Sequence, residues 1–324
     1  MAKPWIETHT FHHSAFSDLS RLMAAKQKRR LSVSLCFPTL NEEATIAKEI
    51  VMMKSDLMTR HRLVDEIVVI DSGSTDNTME IAAQYGAGVF RADDILPQLE
   101  KFRGKGENLW KALYVTRGDI LVYIDADIKN IHPRFVYGLL GPLIQHQDIK
   151  FTKAFYDRSI ALDHNRVLPG GGGRVTELVV RPLFSLFFPE LAQIFQPLSG
   201  EYAGFREIFE NIPFPIGYGV ETSMILDIYR KWGLNVMAQV DMDRRVHTNQ
   251  DTRALGKMAF VILKTFFNRL EKMERIELAR ELFHEMIRFD RRAGEYVADL
   301  FAVKMSERPP MMEIEAYRNR LLKE

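Results

Sequence analysis

Cysteine is almost absent from this sequence of 324 residues: Cys36 is the single one, so an internal disulfide is excluded. An excess of charge of one sign is also missing, because 44 lysines and arginines face 43 acidic residues and leave a net charge of +1. Such a chain has no general attraction for nucleic acid or for an anionic membrane. No apolar run approaches the roughly 20 residues of a membrane span, and the N-terminus shows no apolar signal core. We therefore expect a globular cytoplasmic protein with no membrane span and no nucleic-acid partner, in which Cys36 is a small buried hydrophobe.

Apolar strands alternate with helical segments through the first half of the chain. In chain order, strands are predicted at 31–37, 66–70, 88–90 and 120–124, and helices at 41–58, after 71–78 and at 107–116. Pro38 is expected to end the first strand, and Gly86 to end the second helix. Strand and helix in this order predict an α/β fold with right-handed crossovers and a mainly parallel, Rossmann-like sheet.

Two carboxylates, Asp125 and Asp127, directly follow the strand at 120–124. An acid-any-acid triplet arises easily by chance, and a helix cap or a turn accounts for such a pair equally well. Polar loops at 38–42 and 71–74 follow two other strands, however, so three loops are expected to converge on one edge of the sheet. Open α/β sheets bind ligands at this edge, and Mg²⁺ prefers oxygen ligands. The pattern favours a site for a nucleotide with a metal-bound diphosphate.

Four glycines at 170–173 precede Arg174 and an apolar stretch at 175–188. Free backbone N–H groups before a helix can face an anion, and Arg174 can add a bidentate contact to phosphate or carboxylate. A flexible connector accounts for the same glycines. His247 follows a plausible strand at 236–240, and taken by itself it is an ordinary loop histidine.

The chain from residue 252 onward alternates charged and apolar residues at helical spacing, as at 278–283, and Pro309 and Pro310 interrupt this pattern. The spacing predicts two or three amphipathic helices. These helices either pad the main domain or bury one face in a second subunit.

Seven blocks of sequence together carry a family resemblance. They are Pro38-Thr39-Leu40-Asn41-Glu42-Glu43, Asp71-Ser72-Gly73-Ser74-Thr75-Asp76, Gly104-Lys105-Gly106-Glu107, Asp125-Ala126-Asp127, Gly171-Gly172-Gly173-Arg174-Val175-Thr176-Glu177, Pro197-Leu198-Ser199-Gly200-Glu201-Tyr202 and Gly217-Tyr218-Gly219-Val220-Glu221. In this order they resemble the glucosyl-3-phosphoglycerate synthase family, retaining glycosyltransferases of the GT-A fold. The first three blocks mark glycosyltransferases broadly, and the last three are narrower. The resemblance spans residues 34–249.

The resemblance implies a domain organisation and an activity. Residues 1–30 would be an N-terminal extension, 31–145 the nucleotide-sugar-binding half of a GT-A domain, 146–250 its acceptor-binding half, and 251–324 a helical C-terminal extension. The implied reaction moves glucose from UDP-glucose to the 2-hydroxyl of 3-phosphoglycerate, and the implied assembly is a homodimer.

The resemblance also implies roles for individual residues on the donor side. Those that would bind the nucleotide-sugar are Pro38, Leu40, Glu42, Ser72, Lys105, Asp125, Ala126, Tyr218 and Glu221. Those that would be catalytic are Leu198, through its backbone carbonyl beside the anomeric carbon, Glu221, through the sugar hydroxyls, and Asp125.

Metal and acceptor ligands are implied in the same way. Asp127 and His247 would ligate a divalent metal ion, Mg²⁺ or Mn²⁺, beside the diphosphate. Gly173, Arg174 and Thr176 would receive the phosphate and carboxylate of 3-phosphoglycerate, with Asn249 also on the acceptor side.

Several alternatives remain open from the sequence. A mannosyl-3-phosphoglycerate synthase would use GDP-mannose on the same acceptor, and nothing in residues 38–42 excludes a guanine base. A non-enzymatic sugar-nucleotide sensor would bind the donor without turnover. A nucleotidyltransferase is disfavoured, because the acidic first loop would repel a triphosphate. The family mechanism is a front-face displacement, and Glu221 as a covalent nucleophile is its rival.

Overall fold

The computed structural model describes residues 3–163, 166–168, 173–247, 251–292 and 294–322, and it describes the backbone alone at 158–163, 166–168 and 247. Strands and helices alternate along most of this length. The strands are β1 (Thr10–His12), β2 (Val33–Thr39), β3 (Glu66–Asp71), β4 (Gly88–Arg91), β5 (Ile120–Tyr123), β6 (Phe151–Asp163), β7 (Arg166–Leu168), β8 (Tyr202–Phe205), β9 (Phe214–Pro215), β10 (Met237–His247), β11 (Glu285–Arg292), β12 (Glu295–Ala302) and β13 (Glu307–Arg308).

The helices have lengths from one turn to about six turns. They are α1 (Trp5–Thr8), α2 (Leu19–Lys28), α3 (Ile46–Met53), α4 (Thr78–Gln84), α5 (Lys105–Val115), α6 (Arg134–Gln145), α7 (Arg181–Phe187), α8 (Arg206–Glu210), α9 (Val220–Trp232), α10 (Thr252–Lys272) and α11 (Glu315–Leu321). Two segments with π-helical hydrogen bonding adjoin them: Lys54–Arg60 continues α3, and Thr176–Val180 leads into α7.

Within the described residues, nine strands form one sheet in the order β1-β10-β6-β8-β5-β2-β3-β4, with β7 paired to β6. The pairs on both sides of β8 are antiparallel, and β7 pairs antiparallel with β6, while all other neighbours along the sheet are parallel. The predicted α/β fold with a mainly parallel sheet is therefore confirmed.

The central strands are buried on both faces, and successive side chains enter two different cores. On β2, Cys36 belongs to the core under α5, α7, α9 and α10, whereas Leu35 and Phe37 belong to the core under α2, α3 and α6. This alternation is what a strand covered by helices on both sides requires. Cys36 is 1% exposed, in agreement with its prediction as a buried hydrophobe, and burial raises the pKa of its thiol.

Of the predicted boundaries that differ from the structure, two have a clear local cause. β2 continues through Pro38 to Thr39, because beyond Cys36 only β3 flanks the strand and no N–H is needed on the side of β5. The first helix begins at Ile46 rather than at 41, since Asn41 adopts a left-handed φ of 58° and its side chain accepts a hydrogen bond from the backbone N–H of Thr75.

Residues 251–324, predicted as a helical extension, contain helices α10 and α11 and in addition an antiparallel hairpin of β11 and β12. No helix covers 278–283, where Phe283 is 87% exposed. β13 pairs with β9 and returns the chain to the main domain. Across the described parts of the chain, no helix is both long and apolar enough to cross a membrane.

Candidate active site

A cavity of about 630 Å³ opens where β2, β3 and β5 end. Its lining includes all the residues that the resemblance assigns to the donor, together with one predicted metal ligand. They are Pro38, Leu40, Glu42, Ser72, Lys105, Asp125, Ala126, Asp127, Leu198, Tyr218 and Glu221. The three loops do converge on one edge of the sheet, as their positions after parallel strands predicted.

The loop after β3 is built around Asp71, which is fully buried. The carboxylate of Asp71 accepts hydrogen bonds from the backbone N–H groups of Gly73 and Ser74, each at 2.8 Å, and from the hydroxyl of Thr39 at 3.0 Å. Gly73 has a φ of 95°, a left-handed conformation that favours glycine. This internal bonding fixes Ser72 at the cavity wall.

Lys105 lies at the start of α5 and bridges two carboxylates across the cavity. Its Nζ is 2.5 Å from Asp125 Oδ1 and 2.8 Å from Glu221 Oε1. Burial alone would lower the pKa of Lys105, but the two carboxylates outweigh it and hold that pKa above its usual range. Gly104 immediately before it has a φ of 150° and packs so closely on the carbonyl of Ile216 that a Cβ would collide with it. The Lys105 ammonium is therefore fixed in position and remains protonated.

Asp125 and Asp127 have different surroundings, although a single residue separates them. Asp125 is paired with Lys105, and its Oδ2 lies 3.6 Å from Arg245 Nη2. Burial raises the pKa of Asp125, yet Lys105 and Arg245 together bring it below its usual value. Asp127 is half exposed, and its Oδ1 accepts a 2.5 Å hydrogen bond from Arg245 Nη2. The pair is not a helix cap, because the next helix begins only at Arg134. The turn alternative does describe the backbone, since Ala126 and Asp127 lie in a turn.

Arg245 was not singled out by the sequence analysis. It lies on β10, is 7% exposed, and reaches four groups at the centre of the site. Besides both aspartates, its Nη1 lies 3.1 Å from Glu201 Oε1 and donates to Tyr156 Oη at 3.0 Å. Burial opposes the charge, but these acidic neighbours raise the pKa of Arg245 further. The available signal was strand alternation, which places Arg245 on the opposite face of β10 from the exposed Arg244.

Lys153 on β6 is a second residue that the sequence analysis missed. It is buried, and its Nζ donates a 2.7 Å hydrogen bond to the carbonyl of Ser199, the residue after Leu198. The ammonium also lies 4.5 Å from the ring centre of Tyr202. Burial lowers the pKa of Lys153 to about 7. The hydrogen bond from Lys153 to the Ser199 carbonyl supports the loop that contains Leu198.

Glu42 belongs to the first loop and faces the same group of carboxylates. Burial raises its pKa to about 7, and the negative charge of Asp127 contributes to the rise. Glu42 N–H is itself fixed by a 2.8 Å hydrogen bond to the hydroxyl of Thr78 at the start of α4.

The acceptor-side predictions fall on a different segment. Gly173 has a left-handed φ of 84°, and Thr176 is buried with no hydrogen-bond partner for its hydroxyl among the described residues. Neither they nor Arg174 line the cavity described above. Asn249 and the glycines at 170–172 lie outside the described residues, and the structure does not describe the side chain of His247, which ends β10.

The predicted metal position can be tested against the donor atoms present. Asp127 offers a half-exposed carboxylate at the cavity, and its Oδ2 has no hydrogen-bond partner in the described part of the chain. Carboxylate oxygens suit Mg²⁺ and Mn²⁺, and the Arg245 guanidinium now places positive charge against this carboxylate. The residues therefore fit a hard divalent cation.

Comparison with known proteins places the chain among relatives of one kind. The model of glycosyl transferase family 2 matches residues 34–218. The glucosyl-3-phosphoglycerate synthase of Petrotoga mobilis is 52% identical over 315 residues, which is 97% of this chain and 97% of that protein. The protein of the same name from Mycobacterium tuberculosis is 44% identical over 262 residues, 80% of this chain and 79% of its own length.

Solved structures give the same picture. A mannosyl-3-phosphoglycerate synthase from Rubrobacter xylanophilus is similar with a TM-score of 0.88 and 35% identity, covering 96% of this chain and 98% of that one. The Mycobacterium tuberculosis glucosyl-3-phosphoglycerate synthase in complex with Mn²⁺, UDP and phosphoglyceric acid gives 0.79 and 38%, covering 91% and 94%.

Proposed function

Because this chain belongs to glycosyl transferase family 2 and to its glucosyl-3-phosphoglycerate synthases, we propose that it transfers glucose from UDP-glucose to the 2-hydroxyl of 3-phosphoglycerate, giving glucosyl-3-phosphoglycerate. The observation that carries this proposal is the convergence of every donor-side residue on one cavity at the carboxyl edge of the sheet. The complexes of the Mycobacterium tuberculosis relative with Mn²⁺, UDP and phosphoglyceric acid support the same ligands here.

The proposed donor site divides into three parts. The uridine lies against the loops after β2 and β3, where Pro38, Leu40 and Ser72 line the wall. The glucose lies deeper, beside Glu221, which is 6% exposed and whose carboxylate is fixed by Lys105. A carboxylate held in this way accepts hydrogen bonds from sugar hydroxyls without moving.

The diphosphate belongs at the mouth of the cavity, beside Asp127. Asp127 and His247 would hold Mg²⁺ or Mn²⁺ here, and the ion would supply Lewis-acid stabilisation of the negative charge on the departing diphosphate. Arg245 and Lys105 keep their positive charges at all physiological pH values and add to the field at this position. The protein itself therefore contributes mainly positioning and electrostatics.

The proposed reaction retains the configuration at the anomeric carbon. The bond from the anomeric carbon to UDP breaks, and a bond to the acceptor 2-hydroxyl oxygen forms on the same face, while the hydroxyl proton passes to the departing phosphate oxygen. The carbonyl of Leu198 faces the positive charge that develops on the sugar. Glu221 is a poor candidate for a covalent nucleophile, since its Oε1 is 2.8 Å from the Lys105 ammonium. A glycosyl adduct trapped on Glu221 would contradict this front-face route.

We propose that Gly173, Arg174, Thr176 and Asn249 receive the acceptor. The buried hydroxyl of Thr176, which has no partner among the described residues, supports this assignment, because a buried polar group left unpaired is costly. An anionic acceptor would supply the missing partner.

A donor panel tests the proposal. Purified protein, Mg²⁺ and 3-phosphoglycerate are incubated in turn with UDP-glucose, GDP-glucose and GDP-mannose, and release of the nucleotide diphosphate is measured. We expect turnover with UDP-glucose that depends on 3-phosphoglycerate. Binding of UDP-glucose without any release of UDP would instead support a sugar-nucleotide sensor.

Mannosyl transfer from GDP-mannose is the second candidate function. The similarity to the Rubrobacter xylanophilus mannosyl-3-phosphoglycerate synthase favours it, but the higher identity to the Petrotoga mobilis glucosyl enzyme favours glucose. Faster turnover with GDP-mannose than with UDP-glucose would reverse this order.

We also propose that the protein acts in the cytoplasm as a homodimer through the hairpin of β11 and β12. One face of this hairpin carries apolar side chains that are largely exposed in the single chain: Ile287, Phe289, Tyr296 and Leu300. Exposed apolar patches of this kind mark interaction surfaces. Light scattering after gel filtration should give twice the chain mass for the wild type and the single-chain mass for Phe289→Asp. A wild-type monomer would contradict the proposed assembly.

A further inference from the structure

We propose that His12, His13 and Asp243 form a binding site for a late first-row divalent metal ion, with Zn²⁺ as the ion that fits best. One donor atom from each residue lies within 4.8 Å of the others. His12 Nε2 is 2.9 Å from Asp243 Oδ1, and His13 Nε2 is 2.7 Å from Asp243 Oδ2. None of the three residues lines the active-site cavity, so this cluster is separate from the proposed Asp127 metal position.

Both imidazole rings are oriented through their other nitrogen. His12 Nδ1 is 2.7 Å from Ser14 Oγ, and His13 Nδ1 is 3.2 Å from Tyr137 Oη. Ligating histidines in proteins usually have such a second partner, which fixes the tautomer and aims the free nitrogen at the metal. Here the two Nε2 atoms contact different oxygens of one carboxylate, that of Asp243.

The carboxylate is presented by an irregularity in β10. The register of β10 with β6 shifts between Asp241 and Arg244, and Asp243 adopts a left-handed φ of 62° in this bulge. A bulge re-aims a side chain away from the regular ladder. The Asp243 side chain is 47% exposed, so an ion can reach it from solvent.

One neighbouring charge opposes a cation at the cluster and must be accommodated. Arg134 Nη1 lies 3.2 Å from Asp243 Oδ2, whereas Oδ1 is contacted by His12 alone among the described residues. The ion therefore belongs on the Oδ1 side. On binding, the ring proton of each neutral imidazole resides on Nδ1, where Ser14 Oγ and Tyr137 Oη accept it. The 3.3 Å contact from Ser14 N–H to His12 Nδ1 is given up.

The donor set selects the ion. Imidazole nitrogen suits Zn²⁺, Co²⁺ and Ni²⁺, whereas Mg²⁺ prefers oxygen ligands and keeps its waters. Two imidazoles and one carboxylate leave a fourth position of a tetrahedral Zn²⁺ site for water. The cluster shares no residue with the proposed Asp127 position, so the two sites can hold different ions.

Such an ion would tie the N-terminal extension to the strand that carries catalytic groups. His12 ends β1, which pairs in parallel with β10, and Arg245 follows Asp243 by two residues. Asn130 spans the same stretch, donating to the Arg244 carbonyl and accepting from Val246 N–H, each at 2.8 Å. Occupancy of the cluster would therefore stabilise β10 at its approach to the active site.

The test compares metal stoichiometry in a background from which one active-site ligand has been removed. Co²⁺, a visible-absorbing probe for Zn²⁺ sites, is titrated into Asp127→Ala and into the double variant Asp127→Ala with Asp243→Asn. Asn tolerates the left-handed backbone at residue 243, so the bulge is preserved while the carboxylate is lost. His9→Gln in the same background is the matched control, since His9 belongs to the same segment but not to the cluster.

We expect one more equivalent of bound Co²⁺ in Asp127→Ala and in the His9→Gln control than in the Asp243→Asn variant. Zn²⁺ should also raise the melting temperature of Asp127→Ala and of the His9→Gln control, but not that of the Asp243→Asn variant. His12→Gln provides a second test on an exposed side chain in case Asp243→Asn does not fold, and it should lose the same equivalent. Equal stoichiometry in all four proteins would show that the cluster is only an ion pair and would overturn the proposal.

Discussion

Arg245 dominates the electrostatics of the site at the scale of single residues. It binds Asp127 and Glu201 and lies near Asp125, and these partners are 118, 44 and 120 residues away along the chain (245 less 127, 201 and 125). Sequence position after a strand predicted the two aspartates, because that rule is local. Strand alternation can mark Arg245 as inward-facing, but partners at such separations along the chain have no local signal.

Loss of Arg245 should destabilise the fold and also lower the activity. Arg245→Met leaves Glu201, which is fully buried, without its cation, and breaking a buried pair in this way typically costs about 3–5 kcal/mol. Urea unfolding should show this loss for Arg245→Met and no comparable loss for Arg244→Met, whose side chain is exposed. Equal stability of the two variants would contradict the role assigned to Arg245.

Loss of Asp127 should affect turnover and leave the fold intact. The side chain is half exposed and carries little packing, and Arg245 keeps Glu201 and Tyr156 as partners. Removing a ligand of the catalytic metal forfeits several kcal/mol of transition-state stabilisation, on the order of 10²–10³-fold in kcat/KM. Steady-state kinetics of Asp127→Ala check the loss of turnover, and a melting curve checks that the fold is intact. An unfolded variant would support a structural role for this carboxylate instead.

The raised pKa of Glu42 predicts how stability depends on pH. Between its ordinary value of 4.5 and about 7, the folded protein keeps a proton that the unfolded chain has lost. The contribution of Glu42 to the free energy of unfolding is therefore fully present below pH 4.5 and is lost as the pH rises through about 7. Between pH 5 and pH 8 the melting temperature should fall less for Glu42→Gln than for the wild type. Parallel declines would show that Glu42 titrates normally.

Among the elements, the short strands of the first half of the chain were predicted, whereas two largely buried helices and the exposed C-terminal hairpin were missed. β2, β3, β4 and β5 were predicted because their apolar runs are short, rich in β-branched residues and bounded by turn residues. Helix α6 was not predicted, since ten of its twelve residues are buried and Pro142 interrupts its sequence pattern. Helix α9 was not predicted, since it buries polar side chains, Glu221 and Asp227 among them, alongside apolar ones. The hairpin of β11 and β12 was missed because its charged and apolar residues also fit a helical spacing.

The turn that enters β8 should be intolerant of any side chain. A Cβ on Gly200 would collide with the Asp125 carboxylate, which then moves away from Lys105. A displacement of about 1 Å at a reacting centre can cost on the order of 10²-fold in rate. Gly200→Ala should lose activity to this extent by steady-state kinetics. Gly88→Ala is the control, because a Cβ there makes only ordinary contacts, and it should keep full activity. An active Gly200→Ala enzyme would show that the position of Asp125 is not critical.

At the scale of the whole molecule, the C-terminal extension is built into the active-site domain. Arg308 on β13 donates to both carboxylate oxygens of Glu107 on α5, and Arg308 is 5% exposed. The same helix α5 begins with Lys105, so the extension supports a residue of the site. This link could not be predicted from the sequence, because the resemblance ended near residue 249 and the pairing is long-range.

The central claim is that this cavity transfers glucose to 3-phosphoglycerate with retention. The most direct measurement is NMR of the product formed from UDP-α-glucose, 3-phosphoglycerate and Mg²⁺. We expect an α-linked glucosyl group on the 2-oxygen of 3-phosphoglycerate. A β-linked product, or free glucose released with UDP, would contradict it.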